Sequence, residues 1–97
     1  MFIIKEFCGH GIGKEIHMQP NIYHYKAPIP DNYILKEGMV FTIEPIICLN
    51  KYQNLYLLPD KWSIISPNNP SSQFEHTVMI TKNGCEILTL RPDEKLL

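Results

Sequence analysis

The segment Phe7-Cys8-Gly9-His10-Gly11-Ile12-Gly13-Lys14-Glu15-Ile16-His17 decides how the rest of the chain is read. It sets two imidazoles seven positions apart around three glycines, directly after an apolar run. Glycine at alternate positions lets the backbone adopt dihedrals closed to other residues and approach a neighbouring group closely. The expectation is a turn that pushes the His10 ring out of the main chain toward a bound group. A dinucleotide fingerprint is ruled out, because the GxGxxG spacing fails and no helical period follows. A phosphate loop fails as well, since Lys14 precedes Glu15 and not Ser or Thr.

Outward from that segment, 97 residues bound the chain to one domain, residues 1–97. A hydrophobic share of 44% with 20% charged residues is that of a globular chain and not of a disordered one. So short a domain buries a modest fraction of its surface. The formal charge is −1 with Lys and Arg scattered, which gives no electrostatic case for nucleic acid. No apolar run approaches the roughly 20 residues of a membrane helix. Met1-Phe2-Ile3-Ile4-Lys5-Glu6 is charged too soon for a signal peptide. Cys8, Cys48 and Cys85 are an odd count without a CxxC pair, which favours free, buried thiols and an intracellular setting.

Phe2 to Phe7 reads as a strand, and its abrupt start suggests that it pairs with something outside the chain. From Met18 to Asn32, Pro20, Pro28 and Pro30 exclude a helix interior and favour extended or turn structure. His24, between two tyrosines, reads as a packed loop residue. Met39 to Leu49 is an almost continuous apolar run that suits a strand buried on both faces. Glu44 sits within it, where a carboxylate costs several kcal/mol unless paired or bound to a cation. Pro45 removes a ladder donor and suggests an edge or a bulge there. Leu55 to Leu58 and Trp62 to Ile65 read as short strands joined by a turn at Pro59-Asp60-Lys61, and Ser66 to Ser72 reads as a loop. Gln73 to Thr81 alternates as a strand with Gln73, Glu75 and Thr77 on one face. Asn83-Gly84 makes the hairpin to a partner strand, Cys85 to Leu90. No segment carries a convincing helical period.

His10, Glu44 and Glu75, separated by 34 and 31 positions, each fall on a different predicted β element. One imidazole and two carboxylates suit Mn, Fe, Co or Zn and exclude none of them. Spacing alone is a weak signal for such a site.

Five motifs in order strengthen it: Phe7 to Gly13, Ile16-His17, Phe41-Thr42-Ile43-Glu44-Pro45, Gln73-Phe74-Glu75-His76-Thr77 and Asn83 to Thr89. Together they resemble the C-terminal half of type I methionine aminopeptidases, in the pita-bread metallohydrolase family, over nearly the whole chain. The resemblance implies an α+β pita-bread fold, of which this chain would carry the C-terminal half. That half is β-rich, a mostly antiparallel curved sheet with little helix. Glu75-His76-Thr77 departs from prolidases and aminopeptidases P, and His10, Glu44, Glu75 and His17 depart from non-catalytic interaction modules that have lost their ligands. By resemblance, two divalent metal ions are the cofactors. His10 and Glu44 would ligate one metal, and Glu75 would bridge both. Glu44 would also shuttle a proton, and His17 would hydrogen-bond the substrate carbonyl or oxyanion. Trp62 would lie at the methionine side-chain pocket with Ile16, a position that is often aromatic in the family. The implied partner is a nascent peptide with N-terminal Met, at the ribosome, in the cytoplasm or an organelle.

Relatives draw two aspartate ligands and a further histidine from the N-terminal half, whereas Asp31, Asp60 and Asp93 match no such motif. Two divalent cations bring four positive charges against two negative charges from Glu44 and Glu75. The chain alone is therefore expected to bind at best one metal weakly, to lack activity, and to pair with a complementary half or with itself.

Overall fold

Proline at position 45 has no amide hydrogen to give a ladder, and the long apolar run breaks there. The computed structural model describes residues 1–27 and 33–95, so Pro28, Pro30 and Asp31 lie outside the described residues. Its strands, in chain order, are β1 (Phe2–Ile3), β2 (Gly9–Gly11), β3 (Met18–Ile22), β4 (Val40–Ile43), β5 (Ile46–Cys48), β6 (Tyr56–Leu57), β7 (Ile64–Ile65), β8 (Ser71–Gln73), β9 (His76–Thr81) and β10 (Gly84–Ile87). They form a five-stranded antiparallel sheet, β10-β9-β4-β2-β3, a three-stranded one, β1-β5-β8, and the hairpin β6-β7. No helix occurs among the described residues.

Two sequence readings of single strands are thus corrected. Met39 to Leu49 divides at Glu44-Pro45 into β4 and β5, which join different sheets. Gln73 to Thr81 divides at Phe74-Glu75, and its first part belongs to β8, which extends into the expected Ser66–Ser72 loop. The two breaks lie side by side: Ile43 pairs with His76 before them and Ile46 with Gln73 after them. Both strands leave one sheet for the other together, so the register carried across the gap sets Glu44 opposite Glu75.

Gly9-His10-Gly11 is also not a turn but an inner strand of the larger sheet, with β3 on one side and β4 on the other. Its pairing with β3 slips between His10 and Gly11, a bulge that re-aims side chains. The glycines are required by close approach. A Cβ on Gly9 would lie 2.2 Å from the Thr42 carbonyl oxygen, and one on Gly11 would lie 2.3 Å from that of Gln19. Pro20 is tolerated because β3 is an edge strand. The abrupt start of β1 has its answer within the chain, since Phe2 and Ile3 pair with Cys48 and Ile47. Among the thiols only Cys48 is buried as expected; Cys8 is half-buried and Cys85 exposed, all three free.

The core is thin. Among the described residues Ile4, Pro20, Phe41, Cys48 and Val78 are the buried apolar side chains, with Thr42 the buried polar one. Phe2, Phe74, Leu57, Ile65 and Trp62 are exposed. The radius of gyration, 15.2 Å, exceeds the value of about 12.5 Å for a compact chain of this length.

The Gly9 contact is directly testable. Gly9→Ala forces backbone away from backbone between β2 and β4, and is expected to cost at least the 1–3 kcal/mol of overpacking, read as a lower urea midpoint. Gly13→Ala, whose Cβ would meet only the flexible Met18 thioether at 2.9 Å, shifts the midpoint much less.

Candidate metal centre

The antiparallel lattice explains why residues far apart in sequence meet. Gly11 pairs with Phe41, so the next step of that register sets His10 opposite Thr42, with both side chains on one face. Glu44, two residues on from Thr42, shares that face, and Glu75 lies opposite Glu44. One ligand atom each of His10, Glu44 and Glu75 lies within 4.8 Å of the others. His10 Nε2 is 3.6 Å from Glu44 Oε1. Two donors each about 2.0–2.2 Å from one transition-metal ion are about 3–4.4 Å apart, so a small inward movement would bring the trio to ligating separations.

Hydrogen bonds around the trio hold its donors ready. His10 Nδ1 is 3.0 Å from the Gly11 carbonyl oxygen. An acceptor there requires the proton on Nδ1, which leaves the Nε2 lone pair free, the usual arrangement of a ligating imidazole. The Thr42 hydroxyl donates to Glu44 Oε1 at 2.7 Å and accepts from the His10 backbone N–H at 3.0 Å. The Glu44 backbone N–H donates to His24 Nε2 at 3.0 Å. His24 must therefore be neutral with its proton on Nδ1, and burial pushes its pKa down while the Glu44 charge acts in the opposite direction. His24 is a packed loop residue, as its sequence context implies, but what it packs against is Glu44. Burial, and then Glu44, push the Cys8 thiol up, which makes it a poor thiolate ligand.

The charges need a counterpart. Like charges directly opposite across a sheet repel, and among the described residues no Lys or Arg forms an ion pair with Glu44 or Glu75. A hard or borderline cation is the partner that this donor set suits. His17 stands beside the trio, its ring centroid 4.3 Å from that of His10 at an interplanar angle of 56°. His76, next to Glu75, turns elsewhere, with Nε2 3.4 Å from Glu94 and Nδ1 3.0 Å from the Thr89 hydroxyl.

Trp62 and Ile16 are not gathered into a cavity: they are 82% and 70% exposed. A cleft of about 280 Å³ lined by Asn50, Tyr52, Tyr56, Ser66 and Asn69 among others includes neither. Trp62 is nevertheless held at its backbone, since Asp60 accepts from the N–H groups of Trp62 and Ser63 at 3.0 and 2.8 Å and from the Ser63 hydroxyl at 2.6 Å. Neither Asp60 nor Asp93 belongs to the His10–Glu44–Glu75 cluster. The sequence does not single out Thr42, and it shows His24 as a packed loop residue without its bond to Glu44. A polar β-branched residue two positions before a buried carboxylate was the available signal for Thr42; His24 left none, because its partner is a backbone amide 20 residues away.

A sheet that aims an imidazole and two carboxylates at one point offers a donor set of the kind that suits a divalent metal ion, and comparison with known proteins points to a family of metallopeptidases. Residues 2–82 match metallopeptidase family M24, and the chain belongs to that family. It is 42% identical over 95 residues to a methionine aminopeptidase of Escherichia coli (strain K12) and 43% identical to that of Buchnera aphidicola subsp. Schizaphis graminum. Each alignment takes in 97% of this chain and 35% of the relative, so the chain spans about a third of these proteins' length. The crystal structure of methionine aminopeptidase from Rickettsia prowazekii superposes with a TM-score of 0.78 at 40% identity, over 91% of this chain and 36% of that one. The Thermotoga maritima methionine aminopeptidase gives 0.78 at 34% identity, over 92% and 35%. The architecture is part of the pita-bread fold, and its antiparallel sheets, with no helix among the described residues, agree with the β-rich half that the resemblance implied.

Two outcomes test the supports of the site. His24→Phe strips the Glu44 amide of its acceptor; the expected loss is about 1 kcal/mol of stability, with the Glu44 amide exchanging faster with solvent while amides of β10 do not. For Asp60, the Ser63 hydroxyl and then the Trp62 and Ser63 N–H groups hold the carboxyl below its ordinary value. A depressed folded pKa means the turn gains support above about pH 3.9 and loses it as pH falls through the lower folded value. The Trp62 and Ser63 amide resonances are expected to move together on acidification, with a midpoint below 3.9.

Proposed function

We propose that the chain supplies one side of the active centre of a methionine aminopeptidase, removing the initiator methionine from nascent polypeptides. The observation that carries this reading is the approach of His10, Glu44 and Glu75 within 4.8 Å, in a chain of family M24. His10 and Glu44 would hold one divalent metal ion, and Glu75 would lie between that ion and a second. The ions, Co, Mn, Fe or Zn, would polarise the peptide carbonyl and acidify a water.

The chain's own residues would do the rest. Glu44 would accept a proton and hand it to the leaving amine. His17, exposed beside His10, would donate a hydrogen bond to the substrate oxygen as it gains charge. Trp62 and Ile16 would close the methionine pocket only against other surfaces, since both stand exposed in this chain. The remaining donors, two aspartates and a histidine by family resemblance, would come from a complementary N-terminal half. The chain is thus read as C-terminal in that pair, and its exposed apolar side chains as the surface that receives the partner or a second copy. The reaction's place would be the cytoplasm or an organelle, near the ribosome. Among the described residues no helix is long and apolar enough to cross a membrane.

Calorimetric titration with Mn(II) or Co(II) tests the centre. The chain alone is expected to bind no more than one ion, weakly, and to lose that binding in His10→Ala or Glu44→Gln. With a complementary half added, two ions bind and cleavage after an initiator Met appears. Failure to bind either metal with that half present would sink the reading, as would cleavage before Pro in place of cleavage after Met. Sedimentation is expected to give self-association or a stable complex with the half; a well-behaved monomer that ignores it is the contrary result.

A further inference from the structure

Thr42 is 1% exposed, one of the two most deeply buried side chains among the described residues. A valine would have the same shape and the same preference for a strand, without a hydroxyl to desolvate. The hydroxyl must therefore be satisfied, and it is satisfied on both sides by the residues of the candidate centre. It accepts from the His10 backbone N–H at 3.0 Å and donates to Glu44 Oε1 at 2.7 Å. Its single proton goes to the carboxylate and its lone pair receives the amide, so the two bonds run in one direction and polarise each other.

We infer that the Thr42 hydroxyl is a positioning group that fixes His10 and Glu44 at their ligating separation. It ties the backbone of one ligand to the carboxylate of the other across the β2–β4 seam. Three features fit this role. The bond from Thr42 goes to one oxygen of the Glu44 carboxylate, Oε1, and leaves Oε2 without a hydrogen bond among the described residues. It acts where Gly9 lets β2 come close enough for a side chain as short as threonine to span the gap. It also acts together with the Gly11 carbonyl, which orients the His10 ring from the other side. The inference rests on His10 and Glu44 being metal ligands, but the tie itself exists without metal, and the two are separable by experiment.

The test compares Thr42→Val with Thr42→Ser in the intact protein, with two readouts. The first is metal-free: exchange of the His10 amide proton with solvent, by NMR. Wild type and Thr42→Ser are expected to protect this amide, and Thr42→Val to exchange it at least about 10-fold faster while the Val78 and Met79 amides keep their protection. The second is Co(II) titration followed by the visible absorption of the bound ion. Thr42→Val is expected to weaken binding by about 10–100-fold, the range for loss of a partner that orients a ligand, and Thr42→Ser to restore it to within a few fold. A merely structural threonine would not give this split, because serine loses the methyl packing and keeps only the hydroxyl. Unchanged His10 protection in Thr42→Val, or Thr42→Ser as damaged as Thr42→Val in both readouts, overturns the inference. Hydroxyl-dependent protection of His10 in a protein that takes up no Co(II) even with a complementary half added supports the tie and overturns the metal reading instead. Should Thr42→Val fail to fold, the wild-type spectrum decides. A slowly exchanging Thr42 hydroxyl proton with a cross-relaxation contact to the His10 amide supports the tie, and its absence removes it.

Discussion

Two carboxylates face each other where a pair of strands changes sheets, and the arrangement around them follows from that fact. Had β4 and β9 run on unbroken, Glu44 and Glu75 would be a like-charged cross-strand pair, a destabilising arrangement with no cationic side chain paired to it among the described residues. Pro45 ends the ladder at this point, and Glu44 and Glu75 lie in the breaks between the strands, outside either sheet. The flanking pairs, Ile43 with His76 and Ile46 with Gln73, keep the two segments aligned through the gap. Electrostatic tension and positional order thus coexist, and a cation would resolve the first by using the second.

The third donor arrives by a different device. β2 is three residues long with glycine at both ends, and those glycines let it lie against the Thr42 and Gln19 backbones at distances that no side chain permits. His10, between them, has little freedom in where its ring goes. Its Nδ1 meets the Gly11 carbonyl and its amide meets Thr42, so position and tautomer are set together. The functional content of the glycine-rich segment is therefore tight packing of an inner strand, and not the conformational freedom of a turn.

This distinction marks how far the sequence could be read. The residue types were legible: an imidazole among glycines, a carboxylate inside an apolar run, another on an alternating strand. So were the hairpins at Asp60 and Asn83-Gly84, which depend on local turn chemistry. The convergence of His10, Glu44 and Glu75 rested on family resemblance, because composition carries no register. A β-strand looks the same in sequence whichever neighbour it pairs with. For the same reason the transfer of β5 and β8 to a second sheet, and the internal partner of β1, lay beyond local pattern. Pro45 announced a break without saying that Phe74-Glu75 would break beside it. His24 was legible as a loop residue, yet its bond to the Glu44 amide depends on a loop geometry that no short motif encodes.

Burial within the trio is graded, and the gradient indicates from which side further donors would have to come. The side chains of His10 and Glu44 are 16% and 21% exposed, held by Thr42, His24 and the Gly11 carbonyl. Glu75 is exposed. A cation in this position has one flank fixed by the sheet and the other open to solvent. On the open flank charge is screened and ligands lose side-chain entropy on binding, so a single exposed carboxylate adds little affinity. Additional anionic donors brought to that flank would supply charge, exclude water and raise the strength of the existing bonds in the same step. The ordered flank would therefore hold a metal only weakly by itself, and its hydrogen-bonded rigidity would have its full effect on binding once the open flank is closed.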